Sequence, residues 1–258
     1  MTTLWIFGDN FSAFWPDEIQ KNPSDLKKIY TYYKNENTWQ YQVADKLNAN
    51  IENYALGFSS IEYLFKKFNS VRDKIQDGDT IIITVISPDI ATRNFVRDEP
   101  FILDANTDFT KIRFHPDDQY ISREDAFILY LNNFLYNLKS LTIEKNLNTI
   151  VIPSQKLIDC VLNNFENKGR FNPIIVAQGC LSDITINEYT DDIKHQAYYF
   201  RDDSIIKTNW LIQSNHKILS NKILESLNTK RLDVTQGFVR GVITDDNRKD
   251  KNFLEIEY

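Results

Sequence analysis

Residues 80–86 read Thr-Ile-Ile-Ile-Thr-Val-Ile, with a β-branched side chain at every position. Such side chains are stiff at χ1 and pack well on a pleated, extended backbone. A strand with one wet face alternates apolar and polar residues, and this run does not. It is expected as a parallel strand buried on both faces, which requires helices above and below the sheet. That requirement constrains the chain more than any other local signal.

The rest of the chain supplies the layers. Thr3-Leu4-Trp5-Ile6-Phe7 reads as a buried strand ending at the turn signal Gly8-Asp9-Asn10. A helix is predicted from Thr38 to Leu47, and a short strand from Ile51 to Leu56 ends at Gly57. Ser59-Ser60-Ile61-Glu62 is a capping-box pattern, followed by a helical stripe of Ile61, Leu64, Phe65, Phe68, Val71 and Ile75. Ser122-x-x-Asp125 opens the longest helix, with Phe127, Leu131, Phe134, Leu135 and Leu138 on one face. Strands follow at 148–152 and 173–176, and a helix starting near Ser214 carries Leu219, Ile223 and Leu227 inward. Alternating strands and helices mean an α/β domain with a parallel sheet.

Two stretches fall outside this alternation. Residues 87–121 form an insertion in which 101–103 and 111–114 could pair as a hairpin, since structureless loops of that length are uncommon. Residues 231–258 form a C-terminal extension after one domain spanning 1–230.

Composition excludes several classes. A net charge of −6 and the lack of a Lys/Arg stripe argue against a nucleic-acid partner. No apolar run approaches the ~20 residues of a membrane span, and a strand-like run stands where a secretory signal would, so a cytoplasmic chain is expected. Cys160 and Cys180 lack metal-ligand spacing, and no cofactor or metal is expected. His115, Asp117 and Asp118 are metal-friendly types, yet a solvated loop is the commoner role for such a run, and His195 reads as a surface or packing histidine.

Four segments in order resemble the sequence blocks of the SGNH (GDSL-like) hydrolases. Leu4 to Asn10 resembles the first, strand-Gly-Asp-Ser, with Asn10 at the serine. Asn53 to Gly57 resembles the second, whose glycine lends a backbone N–H to the oxyanion hole. Asp79 to Asp89 resembles the third, where Pro88 stands at the asparagine. Lys207 to Leu219 resembles the last, Asp-x-x-His, with Lys207 and Trp210 in the acid and histidine places. The resemblance spans roughly residues 3 to 228. It implies a three-layer αβα sandwich around a five-stranded parallel sheet of flavodoxin-like order 2-1-3-4-5.

The resemblance also implies a chemistry that these residues cannot perform. In the family a serine attacks the acyl carbon, a histidine takes its proton and an aspartate orients the histidine. Asn10 offers an amide, which is no nucleophile at neutral pH. Trp210 donates an indole N–H but accepts no proton. Lys207 is a cation where a carboxylate belongs, and Pro88 has neither a side-chain amide nor a backbone N–H. Losing triad members costs roughly 10⁴ to 10⁶ in turnover, and an oxyanion donor roughly 10² to 10³ more.

Substitutes have to be weighed. Ser12, Ser59, Ser60 and Ser87 fall near the expected crevice, and His216 lies at the start of the last helix. A Ser12/His216 pair would need hydrogen-bond reach between hydroxyl and imidazole. Asp9 and Asp89 end strands expected to be neighbours, so they form either a general-acid pair, a metal site or two turn caps, the last being the commoner role. Phe11, Phe14, Trp15 and Trp210 would converge on the crevice, either filling it, the commoner fate of aromatics, or offering a stacking surface for a sugar or peptide.

The expected function is therefore binding or assembly on a catalytically degenerate SGNH-like fold. Similarity to compact phage-encoded SGNH-like proteins points to a virion component, with other virion proteins as partners through 231–258 or 87–121. An esterase or carbohydrate deacetylase with a rearranged site, and a carbohydrate-binding module, are the alternatives.

Overall fold

A computed structural model of the protein describes residues 2–9, 12, 38–56, 61–85, 123–154, 156–163, 169–184, 188–189, 211, 213–238 and 242–243. The expected hairpin within 87–121, the capping-box residues Ser59 and Ser60, and most of the C-terminal extension lie outside these residues.

The elements follow the alternation read from the sequence. They are β1 (Thr3–Phe7), α1 (Trp39–Leu47), β2 (Asn50–Asn53), α2 (Ile61–Val71) and β3 (Thr80–Val85). After these come α3 (Arg123–Glu144), β4 (Asn148–Pro153), α4 (Lys156–Leu162) and β5 (Ile175–Val176). A two-residue strand β6 (Glu188–Tyr189), helix α5 (Gln213–Thr229) and strand β7 (Val242–Ile243) complete the order. The main sheet has five parallel strands in the order β2-β1-β3-β4-β5, as expected. β5 is shorter than the sequence pattern suggests, and β6 pairs separately with β7.

Both faces of β3 are buried, which is why its run shows no alternation. Trp5, Phe7, Ile81, Ile83, Val85 and Val151 pack on one face against α2, α3 and α4. Leu4, Ile6, Ile82, Ile150 and Ile152 pack on the other against α1 and α5. Successive strand residues point to opposite faces, so each β-branched position finds a helix layer to bury against. On the first face Phe7 meets Phe68 edge-on at 5.7 Å and Phe68 meets Phe134 at 5.3 Å, geometry that aromatic quadrupoles favour.

The amino edge of the sheet is fastened by one carboxylate. Asp79, 2% exposed, accepts the Thr3 amide at 2.8 Å, the Trp5 indole N–H at 2.7 Å and the Gln76 amide at 2.9 Å. A buried carboxylate is tolerated where charge-assisted bonds replace its water. It joins the start of β1 to the turn that feeds β3.

Residues just beyond α5 are part of the core. Leu232 and Val234 are buried with the α1/α5 layer, and the chain there bridges Gln178 next to β5. Within the stretch set apart as an extension, residues 231–234 thus run along the sheet edge. Among the described residues no helix is long and apolar enough to cross a membrane. Cys160 is exposed and Cys180 buried.

Candidate functional site

In an open parallel sheet, ligands bind beyond the carboxyl ends of the strands, where successive connections leave in opposite directions. Here that switch point lies between β1 and β3, because the chain passes from β1 outward to β2 and then returns to β3 on the other side. The described residues at this edge are Gly8, Asp9, Ser12, Gln40, Asn53, Thr84 and Ser154.

Gly8 makes the close approach of β1 and β3 possible. It has φ +143°, and a Cβ there would sit 1.9 Å from Thr84 Oγ1 and 2.7 Å from the Thr84 carbonyl oxygen. Only glycine fits both the space and the backbone angle. The turn that follows is closed by the Ser12 amide donating to the Asp9 carbonyl at 2.9 Å.

A chain of hydroxyls then ties this turn to β3. Thr84 Oγ1 accepts the Asp9 amide at 3.2 Å and donates to Asp9 Oδ1 at 3.1 Å. Since a hydroxyl has one proton, Ser12 Oγ, 2.8 Å from Thr84 Oγ1, must be the donor in that pair. The Ser12 carbonyl accepts Gln40 Nε2 at 3.0 Å and Asn53 Nδ2 at 2.7 Å, so α1 and the end of β2 hold the same turn. Ser12 and Thr84 are fully buried, and Asp9 is 1% exposed.

His216 is placed by α5 against the start of α1. Its Nδ1 accepts the Trp39 backbone N–H at 3.2 Å. A backbone amide only donates, so Nδ1 carries the lone pair and the neutral ring holds its proton on Nε2. The imidazole supplies a cap that Thr38 does not, for the Thr38 side chain makes no capping bond. Burial pushes the His216 pKa down to about 3. The charged form is disfavoured because desolvation, and the positive end of α1, both oppose it.

The structure thus brings Ser12 and His216 to adjacent residues of α1, Gln40 and Trp39, yet commits them to different partners. The hydroxyl serves Thr84 and the Nδ1 lone pair serves Trp39. Asp9 acts through Thr84 and the turn. The three residues make a scaffold at the sheet edge, with no hydroxyl-to-imidazole bond in it.

The other candidates lie outside the described residues. These include the block positions Asn10, Gly57, Pro88, Lys207 and Trp210, together with Asp89. They also include the aromatic residues Phe11, Phe14 and Trp15, the serines Ser59, Ser60 and Ser87, and His115, Asp117, Asp118 and His195. Sequence reasoning passed over Thr84, Gln40 and Asn53 as a network. The one available signal was Thr84, a polar residue after three isoleucines near the end of a buried strand. Among the described residues no cluster of three or more His, Cys, Asp or Glu could hold a metal ion.

Comparison with known proteins adds fold neighbours at long range. No protein-family model and no curated protein matches the chain. Among solved structures it is similar to a carbohydrate esterase whose active site is described as having divergent catalytic and non-catalytic binding functions. That match has 13% identity and a TM-score of 0.38, over 70% of this chain and 60% of the esterase. The chain therefore spans about three fifths of that protein's length. It is also similar to a protein placed in the lipolytic G-D-S-L family from Desulfitobacterium hafniense, at 9% identity and a TM-score of 0.37, covering 88% of this chain and 99% of that one. Protein YxiM from Bacillus subtilis aligns at 10% identity and a TM-score of 0.43, over 89% of this chain and 56% of its own. Likenesses this distant carry no step about chemistry. The fold class rests on the strand order and the two helix layers.

Proposed function

We propose that this chain uses an SGNH-type α/β fold for binding or assembly and does not hydrolyse esters. The resemblance of its sequence blocks supports the fold type, and the replacement of reactive residues by Asn10, Lys207 and Trp210 supports the loss of chemistry. The observation that carries the reading is the commitment of Ser12 to Thr84 and of His216 Nδ1 to the Trp39 amide. A serine becomes a nucleophile when an adjacent base accepts its proton. Here the fully buried Ser12 hydroxyl donates its proton to a second buried hydroxyl, that of Thr84.

The partners in this reading are other proteins of a virion or assembly, reached through 87–121 or 231–258, and its location is the producing cell or the particle. Two cheap experiments test it. Purified protein is treated with a fluorophosphonate probe and with p-nitrophenyl acetate, and no labelling or turnover above background is expected. Labelling or turnover abolished by Ser12→Ala or His216→Ala, with the fold retained, would overturn it in favour of an esterase or carbohydrate deacetylase. Mass spectrometry of purified particles from the source, expected to contain the chain, tests the assembly role. A strictly monomeric chain absent from particles would remove that role.

A further inference from the structure

We draw no further inference here: the strongest candidate, the uncharged exposed residues Leu129, Asn133, Ser140 and Ile143 along α3, is an unpartnered helix face, and nothing in the structure shows what covers it.

Discussion

The imidazole of His216 accepts the backbone N–H of Trp39, a residue 177 positions away in the chain. This contact closes the start of α1 with a side chain from α5, and it works only while the ring is neutral.

A pH dependence follows from that contact. The unfolded chain binds a proton on this histidine near pH 6.5 and the folded chain only near pH 3. Between those values the unfolded state holds more protons, so stability rises with pH and is lost as pH falls below about 6.5. For this group alone the loss is about 1.4 kcal/mol per pH unit within the window. Urea denaturation at pH 7.5 and pH 5.5 should show wild type losing about 1.4 kcal/mol more than His216→Gln. Equal losses in the two proteins would disprove the assignment.

Gly8 tolerates no side chain. Gly8→Ala is expected to cost about 3 kcal/mol or more, combining backbone strain with overpacking against Thr84. Adding Thr84→Ala should recover only part of this, because the Thr84 carbonyl oxygen still lies 2.7 Å from the new Cβ. Thermal melts of the single and double variants measure both effects.

Asp79 offers a second stability test. In Asp79→Asn one of the accepting oxygens becomes an amide, setting donor against donor at Thr3 or at Trp5 and Gln76. A loss of about 2–4 kcal/mol is expected, because buried donors are left without acceptors. Trp5→Phe, which removes one donor along with part of the ring, should lower the further cost of Asp79→Asn. A double-mutant cycle read by chemical denaturation checks this.

Ser12 should matter for stability alone. Ser12→Ala and Thr84→Val each remove part of one hydroxyl chain, and their effects should be non-additive by about 1 kcal/mol. Purely additive denaturation free energies would mean that the two hydroxyls do not interact.

The architecture was legible in the sequence because its cause is local. A strand buried on both faces is apolar on both, as Ile81, Ile82 and Ile83 show, and a helix on a sheet must repeat as Leu131, Leu135 and Leu138 do. The strand order came through the block resemblance, since periodicity says nothing about which strands are neighbours. The edge network was not legible. Thr84, Gln40 and Asn53 meet Ser12 from three separate elements, and each is an ordinary residue in its own segment. His216 was singled out as a base, but its role as a helix cap depends on α5 lying beside α1, which no local pattern encodes. β5 came out shorter than expected because Pro173 and Ile174 belong to a turn, closed by the Ile174 amide donating to the Phe171 carbonyl at 2.9 Å, so only Ile175 and Val176 pair with β4.

The layer formed by α1 and α5 has a consequence for biosynthesis. Trp39 and Val43 are covered in part by Leu219 and Ile223, so their apolar face waits for α5 to be translated. At elongation rates of about 5–20 residues per second, that wait is roughly ten to forty seconds. During that interval the nascent chain exposes a sticky half-core. Yield of soluble protein should therefore respond to chaperone supply, and a ribosome stalled before residue 213 leaves a product with this layer unfinished.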